Sequence, residues 1–265
     1  MYQDGAMSSL TTPPQRTTAL VTGVGRRAGI GAGVTERLLR DGFDVGCSFW
    51  SAYDERMDWG ADSSTMDHLH ETAHEAGGRI HFAEADLEDP ASIPALFDEV
   101  TSELGPVSAL VMSHCESVDS SISTTSLESF NRHFNVNARA TWLLIREFAR
   151  RYSTPHGSGR IVALTSDHTV GNLPYGASKG ALDRIVLAAA RELAHLGVTS
   201  NVINPGPTDT GWMTEALKRQ IVDETPLGRL GTPGDVANLV SFLCSEQGGW
   251  VNGQLLVSDG GASAG

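Results

Sequence analysis

The chain has 265 residues, of which 40% are hydrophobic, and a chain of this length and composition can bury one large core. Its formal net charge of -13 at pH 7 repels nucleic acid and anionic membrane surfaces, so neither is expected as a partner. The 3 cysteines are far apart, which argues against a disulfide framework or a thiolate metal site, and no apolar run is long enough to span a membrane.

The N-terminal residues 1–16 are polar, contain Pro13-Pro14 and show no hydrophobic period. We therefore predict a disordered tail there and a single domain over residues 17–265. The tail lacks a basic stretch followed by an apolar one, so we expect a cytoplasmic protein. After the tail, short β-rich runs alternate with helical patterns, which predicts an α/β fold with a parallel sheet.

A glycine-rich loop follows the first predicted strand, residues 18–22, and precedes a helical pattern. Glycines let the backbone turn tightly and approach a pyrophosphate, which the amides and dipole of the next helix attract. The residues expected in this phosphate cradle are Gly23, Gly25, Gly29, Ile30 and Gly31. A short glycine motif alone is often an ordinary turn, but its position between a strand and a helix favours a dinucleotide site.

The second predicted strand, residues 43–49, bears on the choice of dinucleotide. In NAD-binding units an acidic residue near the end of this strand binds the ribose 2′-hydroxyl. Here residues 49–51 read Phe-Trp-Ser, whereas Arg26 and Arg27 lie in the glycine loop. The sequence therefore favours NADP(H) over NAD(H), with both arginines on the 2′-phosphate and Arg56 as a further candidate. The alternative is that these are solvated loop residues.

Residues 70–74, His-Glu-Thr-Ala-His, formally match a zinc-protease motif. On a helix His70 and His74 would share a face, but no third ligand is evident and the segment is polar throughout. We interpret it as a solvated helix and predict no metal site.

Two further strands are predicted over residues 79–85 and 107–112. Asp86 follows the first of them, and one interpretation of it is a helix cap. His114 and Cys115 follow the second, at the end of the sheet where ligands bind in doubly wound folds.

The chemistry centres on the fifth predicted strand, residues 161–164, and the helical pattern over residues 177–196. Tyr175 and Lys179 stand one helical turn apart, so the ammonium could lower the pKa of the phenol toward working pH. Ser166, just after the strand, could bind the same substrate oxygen. The alternative is a packed tyrosine beside a solvated lysine.

The remaining pattern completes the alternation of strands and helices. A long helix is predicted over residues 127–151, and strands are predicted over residues 197–203 and 250–257. Residues 211–220 are expected to form a mobile lid over the substrate, with Trp212 as a pocket wall.

The chain resembles the short-chain dehydrogenase/reductase family, especially its 3-oxoacyl-ACP reductase-like members, in four features. These are the glycine loop, Ser166, the Tyr-x-x-x-Lys pair and a Pro-Gly-x-x-x-Thr motif at residues 205–210. The resemblance implies a Rossmann-like doubly wound parallel sheet of about seven strands with helices on both faces. It also implies a homodimer or homotetramer.

The resemblance further implies roles for individual residues. Ser166 would polarise the substrate oxygen, Tyr175 would transfer its proton, and Lys179 would hold the nicotinamide ribose. Asn137, on the long helix, would anchor a water that relays protons to the lysine, although a buried asparagine satisfying a neighbour is the alternative. The family's other cofactor contacts correspond to Asp86, Leu87, Pro205, Gly206, Thr208 and Thr210.

The chain departs from the family pattern in three places. The glycine loop has two extra residues, as in related enoyl reductases, and residues 112–115 read Met-Ser-His-Cys instead of Asn-Asn-Ala-Gly. Ser166 lies only nine residues before Tyr175, closer than is common in the family. Either the intervening loop is cut short, or Thr165 takes the role of the serine.

These observations lead to the hypothesis of an NADP(H)-dependent oxidoreductase that interconverts a ketone and a secondary alcohol. A polar, hydroxylated substrate is suggested by the candidate contact residues, which are His114, Asp167, His168 and Trp212. The alternatives are an enoyl reductase of the same fold and a catalytically silent cofactor-sensing or scaffold protein. The short Tyr–Lys spacing disfavours the first alternative, and the presence of both residues disfavours the second.

Overall fold

A computed structural model describes residues 16–264, and one parallel sheet lies at its centre. The strands are β1 Thr17–Thr22, β2 Phe43–Phe49, β3 Ile80–Glu84, β4 Val107–Met112, β5 Arg160–Leu164, β6 Thr199–Asn204 and β7 Leu255–Val257. Their order in the sheet is β3-β2-β1-β4-β5-β6-β7, which confirms the predicted doubly wound fold. The chain reverses direction across the sheet at β1 and β4, and this switch point is where such folds bind dinucleotides.

Helices cover both faces of the sheet. They are α1 Ile30–Arg40, α2 Ser51–Glu55, α3 Ser64–Glu75, α4 Ser92–Leu104, α5 Leu127–His133, α6 Ala140–Arg151, α7 Leu173–Glu192, α8 Glu215–Glu224 and α9 Pro233–Cys244. Helices α1, α3 and α9 pack together on one side, and α4, α6 and α7 pack on the other. Within residues 16–264, none of the helices combines the length and apolar character that crossing a membrane requires.

Two apolar clusters, one on each face of the sheet, form the core. Successive residues of a strand point to opposite faces, so Leu20 joins the cluster that contains Phe97, whereas Val21 joins the one that contains Leu38. Both faces of β1 are therefore buried, which explains why its apolar residues 19–21 follow one another without polar alternation.

Arg16, which the sequence places in the predicted tail, contacts the folded domain. The predicted tail lies outside the described residues except for Arg16, whose guanidinium donates to the carbonyl oxygens of Leu39 and Phe43 at 2.8 Å. It also pairs with the buried Asp44 at 3.1 Å. These contacts hold Arg16 at the start of β2, so Arg16 is part of the folded domain.

Two element boundaries differ from the sequence prediction in ways that matter for function. Helix α7 begins at Leu173 instead of residue 177, because Pro174 suits the first helical turn, and Tyr175 therefore lies on the helix itself. The predicted helix over residues 127–151 is continuous, but its centre, Phe134–Arg139, is a wider π-helical turn.

The last strand is shorter than predicted. It covers only Leu255–Val257, because Gly253 has a φ of 70° that interrupts extended backbone, and Trp250 is 98% exposed.

The His-Glu-Thr-Ala-His segment lies on α3, as expected for a solvated helix. Leu69 and Ala73 face the core, while His70, Glu71 and His74 are exposed. Among the residues that the structure describes, no group of three or more His, Cys, Asp or Glu side chains could hold a metal ion.

Candidate active site

The predicted catalytic residues come from three elements that meet at the carboxyl end of the sheet. Tyr175 and Lys179 lie on α7, with the Lys179 Nζ 5.7 Å from the centre of the Tyr175 ring. Ser166 follows β5, and its hydroxyl lies near enough to the phenol of Tyr175 to lower the pKa of that phenol. Asn137 reaches the same helix through Ser178. The structure therefore brings all four residues together.

The charge of Lys179 acts differently from the sequence prediction. Its buried Nζ donates a 2.8 Å hydrogen bond to the carbonyl oxygen of Leu164, and burial lowers its pKa. The pKa of Tyr175 is raised by burial and by the nearby Cys115, and only the hydrogen bond from Ser166 opposes the rise. The phenol pKa is therefore raised overall and not lowered as predicted, because burial of the phenol is the largest effect.

Thr165 and Ser166 could each supply the catalytic hydroxyl, and the structure distinguishes between them. Thr165 is buried and faces α7, where its Oγ1 lies 3.5 Å from the carbonyl oxygen of Lys179 and interacts with Asp183. Ser166 is the hydroxyl that lies on the side of Tyr175, where it lowers the pKa of the phenol. The short loop between Ser166 and Tyr175 thus still places the serine beside the phenol, and the earlier start of α7 explains how.

Asn137 is buried and joins the loop after β4 to α7. Its Oδ1 accepts from the Glu116 N–H at 2.7 Å, and its Nδ2 donates to the Glu116 carbonyl at 2.9 Å and to Ser178 Oγ at 2.8 Å. Ser178 in turn donates to the carbonyl oxygen of Tyr175 at 2.8 Å. The π-helical turn that carries Asn137 is a feature often found at functional sites, because it reorients backbone groups.

His114 makes internal hydrogen bonds instead of the expected substrate contact. Its Nε2–H donates to the carbonyl oxygen of Val136 at 3.1 Å, so its Nδ1 accepts from Thr22 Oγ1 at 2.7 Å. Burial, with a smaller effect of Lys179, lowers the pKa of the imidazole to about 3. Both ring nitrogens are therefore committed to internal bonds, and the ring is neutral at physiological pH.

A neutral buried His114 makes stability depend on pH. The unfolded imidazole takes up a proton near pH 6.5 and the folded one only near pH 3, so stability is complete above 6.5 and falls as the pH drops. We expect a loss of about 2 kcal/mol between pH 7 and pH 5, measured by denaturant unfolding. His114→Gln, whose amide does not titrate, should remove most of this loss; an equal loss in the variant would contradict the assignment.

The glycine loop has the form of a phosphate cradle. Gly29 caps α1 without a side-chain hydrogen bond, which leaves the positive end of the helix open to an anion. Gly23 has a φ of 79°, and a Cβ there would lie 2.7 Å from the backbone of His114. Ile30 and Gly31 form the first turn of α1, and a Cβ at Gly31 would overlap the Gly23 carbonyl oxygen. These residues fit a pyrophosphate.

Arg26 and Arg27 lie in this loop with acidic neighbours that sequence reasoning missed. The Arg26 guanidinium stacks 4.3 Å from the centre of the Trp59 ring and lies 3.8 Å from Asp54 Oδ1. The main chain N–H of Arg27 donates to Asp62, and its side chain is exposed.

The carboxylate of Asp54 lies beside the glycine loop, although residues 49–51 at the end of β2 include no acidic residue. Asp54 is buried against Gly25, where a Cβ would overlap its Oδ2. Burial raises the pKa of Asp54, while Trp59 and Arg26 oppose the rise. The only sequence signal was an aspartate five residues after β2, too far along the chain to be compared with the family position.

The residues after β3 make local contacts. Asp86 Oδ1 accepts from the Glu88 N–H at 2.8 Å, and Leu87 is buried in the core. The interpretation of Asp86 as a helix cap is wrong, because α4 begins only at Ser92 after Ala91.

The Pro-Gly-x-x-x-Thr loop after β6 is held in place by internal contacts and by Asp259. Gly206, with a φ of 59°, packs against Asp259, and Thr208 Oγ1 lies 3.3 Å from the Pro205 carbonyl. The carbonyl oxygen of Thr210 accepts from Arg26 at 3.0 Å. The loop therefore reaches across to the glycine loop.

Three of the candidate substrate residues lie at the surface. Asp167 and His168 are exposed on the loop between β5 and α7, and Trp212 is 52% exposed before α8. Helix α8 buries none of its residues, and Lys218 on it pairs with Asp209 at 2.8 Å. The mobility of this segment remains a prediction.

One ion pair in the site was not anticipated. Arg56, considered above for the 2′-phosphate, pairs with the buried Glu116, the residue after Cys115. Nothing in the sequence signals this contact, since 60 positions separate the partners.

Comparison with known proteins gives a consistent result. Residues 23–263 match a family model described as enoyl-(acyl carrier protein) reductase. A chloroplastic NADPH-dependent aldehyde reductase-like protein of Arabidopsis thaliana is 34% identical, with 96% of this chain and 98% of that protein covered.

Solved structures are similar over nearly the whole chain. A short-chain dehydrogenase from Burkholderia cenocepacia in complex with NADP has a TM-score of 0.82 at 29% identity, covering 94% of this chain and 99% of that one. A short-chain dehydrogenase/reductase from Serratia marcescens has a TM-score of 0.82 at 27% identity, covering 95% of this chain and 100% of that one.

Proposed function

The chain belongs to the short-chain dehydrogenase/reductase family of oxidoreductases, and on that premise we propose that it interconverts a ketone and a secondary alcohol with NADP(H). The observation that carries the proposal is the placement of Tyr175 and Lys179 on one face of α7, with the Lys179 Nζ 5.7 Å from the centre of the Tyr175 ring. Ser166 lies nearby, and the start of α1 in the glycine loop has no side-chain cap. A hydroxyl, a phenol and an ammonium suit proton transfer to a carbonyl oxygen.

The cofactor would be held by the loops described above. The first turn of α1 and Gly23 would bind the pyrophosphate, and Arg26 and Arg27 would bind the 2′-phosphate. When bound, the nicotinamide supplies or accepts the hydride. Named relatives that use NADPH, and the solved NADP complex, support NADP(H) over NAD(H).

Side chains of the protein carry out the proton transfer. Ser166 donates a hydrogen bond to the substrate oxygen, and Tyr175 donates its proton to the same oxygen during reduction. The raised pKa keeps Tyr175 protonated at neutral pH, which is the form that reduction needs. Lys179 stabilises the phenolate that remains, and Asn137 anchors the water relay that restores its proton.

We further propose a substrate that carries hydroxyl groups. Asn172, just before α7, is 3% exposed and donates through Nδ2 to Ser117 Oγ at 3.1 Å. Its Oδ1 is buried and has no hydrogen-bond partner among the described residues. An unpaired buried amide oxygen is costly, and this one belongs to the residue that precedes the helix of Tyr175. Asp167, His168 and Trp212 at the surface add polar and aromatic contacts.

Enoyl reduction is the second candidate function. The description of the matching family model and the two extra residues of the glycine loop favour it. The spacing of Tyr175 and Lys179 by three intervening residues favours carbonyl reduction instead.

The proposed function is tested by mixing the protein with NADPH and a panel of hydroxylated ketones and aldehydes, with an enoyl thioester as the competing substrate. We expect cofactor oxidation with carbonyl compounds, at least about tenfold more efficient with NADPH than with NADH. Preference for NADH would reject the roles of Arg26 and Arg27. Reduction of the thioester alone would establish the second candidate, and cofactor binding without any turnover would indicate a silent cofactor sensor.

We also propose a homodimer or homotetramer. Apolar side chains project from the α5–α6 face, where Leu127 is 76% exposed and Trp142 is 47% exposed. Exposed apolar surface of this kind is typical of interfaces.

A further inference from the structure

An ion pair crosses the crevice at the switch point of the sheet. Strands β2 and β4 flank β1, and a dinucleotide in a doubly wound fold lies across their carboxyl ends. Arg56 lies in the segment after β2, and Glu116 lies in the loop after β4. Their ion pair therefore joins the two sides of the crevice above the end of β1.

Glu116 is the fixed partner of this pair. Its side chain is 4% exposed, and both its N–H and its carbonyl are bound by the side chain of Asn137. Arg56 is the more exposed partner, since its side chain is 36% exposed and lies over the Tyr53 ring at 5.0 Å.

Asp54 and Trp59, which lie in the same segment as Arg56, contact the glycine loop through Arg26. Asp54 accepts from Trp59 Nε1 at 2.9 Å, and Arg26 lies against both side chains. Arg26 then continues across the crevice to the carbonyl oxygen of Thr210. Two separate contacts thus span the place where the cofactor would lie.

We propose that residues 51–62 form a latch over the cofactor crevice, closed by the Arg56–Glu116 ion pair, which must open before a dinucleotide binds. The inference rests on the proposed function for the identity of the dinucleotide. When the latch is closed in most molecules, the apparent affinity for the dinucleotide equals the intrinsic affinity multiplied by the fraction of molecules that are open. Because Glu116 is buried, moving Arg56 away leaves its carboxylate without a partner, so the closed state is favoured.

A competing role for Arg56 would be direct binding of a cofactor phosphate. The two roles predict opposite results for Arg56→Gln. Loss of a phosphate ligand slows and weakens NADPH binding, whereas loss of a latch accelerates it. Glu116→Gln should accelerate binding in either case, so the arginine variant discriminates.

The test is stopped-flow association of NADPH with the full chain, followed by protein fluorescence, together with equilibrium titration. We expect Glu116→Gln and Arg56→Gln each to raise the association rate by about five- to tenfold. The double variant should gain no more than the better single variant, because the two partners form one contact. Thermal unfolding of each variant verifies that it is folded.

Glu147→Gln is the matched control. Glu147 is also a buried glutamate paired with arginines, Arg150 and Arg151, but it lies on α6 away from the crevice. It should leave NADPH association unchanged. Slower association in Arg56→Gln, or wild-type rates in both crevice variants, would overturn the latch. If wild type and all variants fail to bind NADPH or NADH, the proposed function itself is rejected; binding by the crevice variants alone would support the latch.

Discussion

Tyr175→Phe is expected to lower the turnover of carbonyl reduction by about three orders of magnitude or more while leaving the NADPH dissociation constant within about twofold. The substitution removes one oxygen, the phenol oxygen that would donate the proton. It keeps the ring that packs near the Lys179 ammonium at 5.7 Å. Only the rate of the chemical step should fall. Steady-state kinetics measure the turnover, and fluorescence titration measures the NADPH dissociation constant.

Tyr152→Phe provides the matched control for this substitution. Its phenol donates to the carbonyl oxygen of Pro155 at 2.9 Å, in the turn after α6, and takes no part in the site. It should retain wild-type turnover. Retained activity in Tyr175→Phe, with the control equally active, would remove Tyr175 from the mechanism.

Gly31→Ala is expected to cost about 2–3 kcal/mol of stability and to weaken NADPH binding by at least about tenfold. A Cβ at Gly31 would overlap the carbonyl oxygen of Gly23 and would lie 3.4 Å from the Val24 Cα. These are backbone atoms, so no side-chain rotation can relieve the overlap. Helix α1 would have to move away from the loop, which would disrupt the cradle; denaturant unfolding and NADPH titration measure both effects.

Gly180→Ala is the control, because it makes the same chemical change inside another helix. A Cβ at Gly180 on α7 has no atom within 4 Å. Alanine there should stabilise the protein by about 0.5–1 kcal/mol and leave NADPH binding unchanged. Equal behaviour of the two alanine variants would show that the close approach at Gly31 has no role in the cradle.

The sheet was predictable because its signals are local. Buried parallel strands such as Val107–Met112 are continuous apolar runs, and their alternation with helical patterns leaves few topologies. The pairing of Tyr175 with Lys179 was predictable for the same reason, since a spacing of four residues places two side chains on one helix face.

The electrostatics of the site could not be predicted, because they depend on where distant segments meet. Spacing alone indicated that the pKa of Tyr175 would be lowered, but burial of the phenol raises it. Asp54 reaches the glycine loop only because residues 51–62 fold back over it. His114 was expected in the pocket because it follows β4, yet its ring is committed to internal hydrogen bonds.

The most direct test of the account is identification of the product formed from a hydroxylated ketone with NADPH, by wild type and by Tyr175→Phe, using chromatography and mass spectrometry. The account predicts the corresponding secondary alcohol from wild type, in amounts equal to the NADPH consumed, and almost none from the variant. Alcohol formation at the same rate by both proteins would contradict it.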